Sequence, residues 1–307
     1  MRTIRIGSRG SRLALVQAEA VAASIRKLAP GAQVEIQVIK TQGDVITDVP
    51  LAQVGGQGFF VKEIERALQR GDVDVAVHSA KDMPTRLAEG LVIGAVSERE
   101  DPRDCLVSRA GARLDELPPG AAVGTSSLRR KALLAHERPD IERRELRGNV
   151  DTRLRKLDEG QYDAVIIARA ALVRLAHADR ITEDLAVERF VPAVAQGALA
   201  IEARDSDRET LELLARLDHR VTRAEITAER TLLAIVEGGC QLPLGANCRL
   251  ERGHLALRAC LVAPDSSRRI DADAAGPIDR PEELGAEVAR MLLERGGRDV
   301  LDEVRRT

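Results

Sequence analysis

The turn around Cys240 combines residue types that could carry a covalently bound group. Residues 237–246 of this 307-residue chain are EGGCQLPLGA, so the cysteine follows two glycines and precedes a proline and another glycine. A thiol on such a pliant turn, after a long helical pattern, is poorly placed for a core and well placed to hold a ligand. An acyl-transfer enzyme with Cys240 as its nucleophile would need a histidine base. The five histidines lie in no matching motif, which disfavours that alternative.

A second candidate for chemistry is the charged pair Lys81 and Asp82, in the segment VDVAVHSAKDMPT. The alternation of an expected strand ends at His78 and Ser79, so the pair lies where the strand opens into a loop. Polar groups at such a place can belong to a binding site, whereas a solvated ion pair would contribute little. Both interpretations stay open. For His78 itself we expect a hydrogen-bonded histidine in the core or at its edge.

Arginines recur at three predicted turns from a strand into a helix, in the segments IGSRGSRLALVQA, VGTSSLRRKALL and RELRGNVDTRLRKL. In the second segment Thr125 and Ser127 supply N-cap hydroxyls, and Arg129 and Arg130 occupy the first helical turn. Cations are unfavourable at that end of the helix dipole, so the pattern indicates a bound anion, with two solvated arginines as the alternative. Because guanidinium pairs bidentately with carboxylate, the three turns predict a ligand with many carboxylates or phosphates. The residues concerned in the other two turns are Arg9, Ser11, Arg147, Gly148 and Arg153.

The elements that must position these residues alternate between short apolar runs and helical patterns over the first two-thirds of the chain. A junction rich in charge, SEREDPRD, separates two such blocks at 97–104, and RFVPAVAQGA forms a second junction. We predict an α/β fold of two doubly wound lobes, resembling periplasmic binding proteins, with a ligand cleft between them. From about Arg220 the pattern predicts a smaller α+β domain. The expected domains are 1–98 with 198–217, 103–193, and 220–307.

Three further segments lead to predictions of single elements. A strand is expected over 141–146, and a closing helix over 281–297 that begins with a proline at its first position. A helix from residue 59 is expected to end at Gly71. Just before it, the glycine-rich stretch LAQVGGQGFFVKE lacks the GK[ST] of a Walker loop and is either a mobile lid or an ordinary surface turn.

Composition excludes several functional classes. The net charge is −2 although 31% of the residues are charged, which argues against a nucleic-acid binder, and the aromatic content of 1% leaves few stacking platforms for bases. No run approaches the ~20 apolar residues of a membrane span, and the N-terminus lacks the apolar run of a signal peptide. The four cysteines form no CxxC pair, which disfavours disulfides and zinc. We expect a soluble cytoplasmic protein without a metal.

Eight segments together resemble the porphobilinogen deaminase (hydroxymethylbilane synthase) family of tetrapyrrole biosynthesis. They extend almost from end to end of the chain and are specific in combination: GSRGSRLALVQA, PLAQVGGQGFFVKEIE, DVAVHSAKDMPT, EREDPRD, VGTSSLRR, LRGNVDTRL, PAVAQGALAIE and EGGCQLPLGA. The resemblance implies a dipyrromethane cofactor, made from the enzyme's own substrate and attached to Cys240 through a thioether. It implies that four porphobilinogen molecules are added head to tail with loss of ammonia, and that hydroxymethylbilane is then hydrolysed off.

The resemblance also assigns roles to individual residues. Asp82 corresponds to the family's catalytic aspartate. Cofactor binding is expected of Cys240, Lys81, Thr125, Ser127, Arg129, Arg130, Arg147 and Gly148. Substrate binding is expected of Arg9, Ser11, Phe60, Arg147 and Arg153. The family also implies a monomer. A two-lobe anion-binding protein without catalysis is the alternative, although a periplasmic protein of that kind would need an export signal.

The chain departs from the family's pattern at four positions. Gln53 and Gln57 stand where the family often has lysines, so we expect the glycine-rich stretch to contribute less to carboxylate binding. Arg12 stands where a proline is frequent, and Ala195 where a glycine is frequent.

Overall fold

The computed structural model of this chain describes residues 3–41, 61–236 and 242–306. It divides into two compact units, formed by Met1–Glu100 with Ala198–Arg223 and by Asp101–Gly197 with Ala224–Thr307. The described strands are β1 Thr3–Ser8, β2 Gln33–Val38, β3 Val75–Ser79, β4 Leu91–Val96, β5 Asp104–Ser108, β6 Ala122–Gly124, β7 Glu142–Arg144, β8 Ala164–Ala168, β9 Glu183–Asp184, β10 Leu199–Arg204, β11 Leu244–Glu251, β12 His254–Val262 and β13 Arg269–Pro277. The described helices are α1 Arg12–Leu28, α2 Lys62–Arg70, α3 Leu128–Glu137, α4 Val150–Asp158, α5 Arg169–Arg174, α6 Arg208–Ala215, α7 Arg220–Ile235, α8 Pro281–Leu292 and α9 Arg298–Arg306.

The first unit is built on a five-stranded sheet with the order β2-β1-β3-β10-β4. Strand β1 runs parallel to β2 and β3, whereas β10 is antiparallel to both of its neighbours. The apolar face of α1, including Val21 and Ile25, packs on one face of the sheet, and Ile64 and Leu68 of α2 pack near Ala76 of β3. Because β1 and β3 are parallel neighbours, their carboxyl ends lie side by side at one edge of the sheet, which is where ligands bind in such folds.

The second unit repeats this arrangement in a five-stranded sheet with the order β7-β6-β8-β5-β9. Strands β7 and β8 are parallel to β6, and β5 is antiparallel to β8 and β9. All five residues of β8 are buried, as expected for a strand covered on both faces. Helices α3 and α4 begin shortly after the carboxyl ends of β6 and β7, so two strand-to-helix turns lie next to each other.

A smaller part of the second unit contains the antiparallel sheet β11-β12-β13. Helix α8 packs against this sheet, with Leu284 close to Gly276. The predicted α/β class, with two sheet-and-helix lobes and a smaller C-terminal α+β domain, is therefore confirmed. The exact domain limits stay a prediction. Within the described ranges, no helix is both long enough and apolar enough to cross a bilayer.

One strand was not predicted, and two predicted elements differ from the structure in extent. Strand β5 was not predicted, because its apolar core of three residues is short and it begins at Asp104, the last residue of the expected junction. The strand predicted over 141–146 is limited to Glu142–Arg144. The closing helix is α-helical only to Leu292. It continues as a π-helical segment, Leu293–Gly297, in which Gly296 adopts a left-handed backbone with φ of 104°, and α9 then begins at Arg298.

Candidate active site

The first unit has a pocket at the carboxyl ends of β1 and β3. Arg9, Ser11, His78 and Asp82 line it together with residues of α1. Ser11 is the N-cap of α1, and its hydroxyl accepts a hydrogen bond from the Ala14 amide at 3.3 Å. The sequence placed Arg9, Ser11 and Asp82 at two separate turns, and the structure brings them to the same pocket.

Asp82 ends a short 3₁₀ turn formed by Ala80–Asp82 directly after β3. The Met83 amide closes the turn by donating to the carbonyl of Ala80 at 3.3 Å, and the Ala80 amide anchors the turn by donating to the carbonyl of Ala198 at 3.0 Å. Met83 is buried, whereas Asp82 and Lys81 are partly accessible. A carboxylate on such an anchored turn has a defined position at the pocket, which suits a group that must face developing charge.

His78 lies in the wall of the same pocket and is buried. Its Nε2 is 3.1 Å from Oε2 of Glu202 in β10, which confirms the expectation of a satisfied histidine. Glu65 of α2 faces the same pair. Burial, and after it the charge of Glu202, raise the pKa of Glu65. Among the described residues, Oε1 of each glutamate is buried without a hydrogen-bond partner, so the buried surroundings of His78 include two carboxylates.

The second unit places Arg129 and Arg130 in the first turn of α3, where Ser127 is the N-cap. Neither arginine is solvated, so that alternative is wrong: the side chains are 4% and 6% exposed. Both pair with Asp104 at the start of β5, Arg129 Nη1 with Oδ2 and Arg130 Nη2 with Oδ1, each at 2.7 Å. The anion that the dipole argument required is thus supplied, at least in part, by the chain itself.

Asp104 is the centre of a buried hydrogen-bond network. Gln196 Nε2 donates to its Oδ1 at 2.8 Å, Arg129 Nη1 donates to the carbonyl of Val191 at 2.7 Å, and Arg130 Nη1 donates to the carbonyl of Ile166 at 3.1 Å. Burial alone would raise the pKa of Asp104, but the charges of Arg129 and Arg130 outweigh burial and hold this pKa well below its usual range. The two guanidiniums are consequently fixed in position.

The adjacent turn between β7 and α4 carries Arg147 and Gly148, and Arg153 follows within α4. Gly148 has φ of 111°, a backbone that favours glycine, and its carbonyl accepts a hydrogen bond from Arg153 Nε at 2.9 Å. Burial lowers the pKa of Arg153 to about 10, and the charge of Arg130 acts in the same direction. The positive charges at the two strand-to-helix turns therefore repel each other, an arrangement that favours the binding of an anion.

Comparison with known proteins identifies the family. Residues 4–212 match the model described as porphobilinogen deaminase, dipyromethane cofactor binding domain, and residues 223–294 match its C-terminal domain. The chain belongs to the porphobilinogen deaminase family. A relative named porphobilinogen deaminase from Pelobacter propionicus is 52% identical over 303 residues, which cover 99% of this chain and 97% of the relative. Another of that name, from Desulforudis audaxviator, is 51% identical over 304 residues, covering 99% and 98%.

Among solved structures, the periplasmic VFT2 domain of Bordetella pertussis BvgS matches with a TM-score of 0.42 and 17% identity. The match covers 75% of this chain and 92% of that domain.

Several residues for which the family resemblance suggests roles lie outside the described residues. They are Cys240, Phe60, Gln53 and Gln57, together with the glycines between 54 and 59. Of the other predicted residues, Thr125 is fully buried and its hydroxyl accepts a hydrogen bond from the Ser127 amide at 3.3 Å. Lys81, Ser127, Arg147 and Gly148 are at least partly accessible.

Three polar residues at these sites were not predicted from the sequence. Gln17 of α1 is buried at the first pocket, and its Nε2 donates to Ser79 Oγ at 3.0 Å. Its position on the buried face of α1 was the available signal. Asp104 and Glu145 contact the arginines of the second unit, and no sequence pattern links them to those arginines. Within the described ranges, no group of three or more His, Cys, Asp or Glu side chains is arranged so that it could hold a metal ion.

Proposed function

We propose that this chain catalyses the porphobilinogen deaminase reaction, in which porphobilinogen is condensed stepwise to hydroxymethylbilane. The observation that carries the proposal is the pocket in which Asp82 lies with Arg9 and Ser11 at the carboxyl ends of two parallel strands. The family match over 4–212 and 223–294 supports it, as do the relatives of that name at about half identity. On this proposal the chain is a transferase that forms carbon–carbon bonds.

Asp82 is the catalytic residue in this proposal. Each addition breaks the bond between the aminomethyl carbon of porphobilinogen and its nitrogen, so that ammonia leaves and a cationic pyrrole remains. That carbon then bonds to the free α-carbon of the growing chain, which loses a proton. A fixed carboxylate stabilises the transient cation, accepts hydrogen bonds from pyrrole N–H groups and can pass the released proton on. After the last addition, water cleaves the tetrapyrrole from the primer.

The residues of the second unit suit a ligand with many carboxylates. The cation cluster is defined here as Arg129, Arg130, Lys131, Arg147 and Arg153. It combines two guanidiniums that Asp104 holds in place with three basic side chains that are partly accessible. This donor set fits the acetate and propionate groups of a dipyrromethane, and an uncompensated carboxylate would be costly in a site shielded from water. When bound, the cofactor supplies the pyrrole α-carbon that is extended. We propose that Cys240 attaches it and that Lys81, Thr125, Ser127, Arg129, Arg130, Arg147 and Gly148 orient it.

The remaining roles concern the substrate and the working state of the protein. Arg9, Ser11, Arg147, Arg153 and Phe60 are proposed to bind porphobilinogen, with the guanidiniums pairing with its two carboxylates. We further propose a cytoplasmic monomer that binds neither nucleic acid nor a membrane, organised in the three predicted domains. The small net charge of −2 supports the absence of nucleic acid.

The test combines intact-protein mass spectrometry with a turnover assay. Protein expressed with ample precursor should carry the mass of a dipyrrole, and Cys240→Ser should lack it. Asp82→Asn, which keeps the shape of the side chain, should retain that mass while the rate of hydroxymethylbilane formation falls by at least about 100-fold. Asp72→Asn is the matched control, because Asp72 is an exposed aspartate of the same unit that pairs with Arg70, and it should keep full activity.

Two results would contradict the proposal. An unmodified wild-type chain without turnover would favour an anion-binding protein that lacks catalysis. An Asp82→Asn protein as active as the Asp72→Asn control would remove Asp82 from the reaction.

A further inference from the structure

Glu145 is an acidic residue in the middle of basic surroundings. It follows β7 directly and precedes the turn of Arg147 and Gly148. The hydroxyl of Tyr162 donates a hydrogen bond to the Glu145 carbonyl at 2.6 Å, and Tyr162 is itself buried. The backbone of Glu145 is therefore held in place, while its side chain is 46% exposed.

The two carboxylate oxygens of Glu145 face two members of the cation cluster. Oε2 accepts a hydrogen bond from Lys131 Nζ at 2.5 Å, and Oε1 lies 3.6 Å from Arg147 Nε. The charge of Glu145 also reaches Arg153, where it opposes the lowering of the pKa by burial and by Arg130. One side chain thus offsets positive charge at three basic groups.

The cation cluster contacts a second carboxylate, Asp104, which differs from Glu145 in one decisive respect. Asp104 has a side chain with 0% exposure and is tied to Arg129, Arg130 and Gln196, so an incoming anion cannot replace it without unfolding the network. The partners of Glu145 are 22% and 29% exposed. Ion pairs at such accessible sites contribute little to stability, and an external carboxylate can take the place of Glu145.

We propose that Glu145 is a specificity-determining residue that acts as an exchangeable internal carboxylate: it pairs with Lys131 and Arg147 until a carboxylate of the pyrrole ligand displaces it. The inference rests on the proposed function, because it assigns the displacing group to a pyrrole acid. By competing with the ligand, Glu145 lowers its affinity and favours its release. It also disfavours ligands with a single carboxylate, because that carboxylate only replaces the contacts that Glu145 already makes with the two cations.

The test compares Glu145→Gln with the wild type, because glutamine keeps the shape and removes the charge. The probe is the substrate's pyrrole without its aminomethyl group, which keeps the acetate and the propionate but cannot react. Calorimetry should show a dissociation constant about 3- to 10-fold lower for Glu145→Gln at low salt, and the difference should narrow as salt increases. The KM for porphobilinogen should fall by a similar factor.

Glu142→Gln is the matched control. Glu142 lies on β7, which Glu145 directly follows. It is similarly exposed and pairs with Arg144 outside the cation cluster, so removing its charge should leave the dissociation constant unchanged. In an Arg147→Gln background the gain from Glu145→Gln should shrink, because one of the two released cations is then missing.

Equal or weaker binding of the probe by Glu145→Gln would overturn the proposal, and so would a probe that binds neither protein. A gain in probe affinity of the same size in Glu142→Gln would show that the effect arises from general surface charge, and it would overturn the proposal as well. These outcomes can be distinguished from a failure of the proposed function, which is tested by the covalent dipyrrole and by turnover of the wild type.

Discussion

Removing the charge of Asp104 is expected to destabilise the second unit severely. Asp104→Asn keeps the side-chain volume but leaves Arg129 and Arg130 buried without their counter-ion. Both guanidiniums lie 2.7 Å from the carboxylate, and all three side chains are at most 6% exposed. Breaking one buried ion pair by removing a partner costs about 3–5 kcal/mol. With two arginines depending on one carboxylate, we expect a loss of at least about 3 kcal/mol.

Urea unfolding at neutral pH, followed by far-UV circular dichroism, measures this loss. For a urea dependence of about 3 kcal/mol per M, the midpoint should fall by about 1 M or more. Asp158→Asn is the control, because Asp158 pairs with Arg180 at 2.6 Å but is 55% exposed. An exposed pair of this kind contributes about 0–1 kcal/mol, so the midpoint of the control should hardly move.

The pH dependence provides an independent check. The charges of Arg129 and Arg130 hold the pKa of Asp104 well below its usual range although burial opposes them. A carboxyl group with a depressed folded pKa contributes stability above its unfolded pKa, about 3.9, and loses it as the pH falls towards the folded pKa. The difference between the wild type and Asp104→Asn should therefore be constant above about pH 5 and should shrink progressively below about pH 4.

A double variant tests whether the cost arises from unpaired cations. Asp104→Asn combined with Arg129→Met removes one of the two uncompensated charges, so it should be more stable than Asp104→Asn alone. A loss below about 1 kcal/mol for Asp104→Asn, or a loss of the same size at pH 3 and pH 7, would refute the reasoning.

Two further predictions concern the backbone and the buried acids. Ala195 has φ of 59°, and such a left-handed backbone costs a non-glycine residue about 1–2 kcal/mol. Glycine avoids this strain but loses more backbone entropy on folding. Ala195→Gly should therefore raise the free energy of unfolding by about 0.5–1 kcal/mol. Ala198 is a buried alanine nearby without a positive φ, so Ala198→Gly should instead lower the free energy of unfolding. Urea midpoints that shift in the same direction for both variants would contradict the argument. Burial and the charge of Glu202 raise the pKa of Glu65, which makes its ionised form unfavourable in the folded state, so folding loses stability as the pH rises from the unfolded pKa through the folded one. Glu65→Gln should therefore stabilise the protein at pH 8 relative to the wild type and do so less at pH 4, whereas a pH-independent change in the urea midpoint would argue against a titrating Glu65.

The sequence predicted those parts of the fold in which local pattern and local capping agree. The beginnings of α1 and α3 were predicted as turns from a strand into a helix, because an N-cap hydroxyl precedes the helical pattern in both. Strand β5 was missed although it lies inside a sheet, between β8 and β9. Its apolar run is too short to be distinguished from a junction, and only the sheet pairing, which is non-local, defines it as a strand.

The same distinction between local and non-local information applies to the candidate site. A local electrostatic argument, cations at the positive end of a helix dipole, correctly indicated that Arg129 and Arg130 require an anion. It could not indicate which anion, because Asp104 lies 25 residues before Arg129 in the chain and reaches it only through the sheet. The argument also could not indicate which of the two acids, Asp104 or Glu145, holds its arginines permanently, because both lie close to arginines. Their burial separates them: the carboxylate that water cannot reach fixes the arginines, and the one that water can reach is free to give way to a ligand.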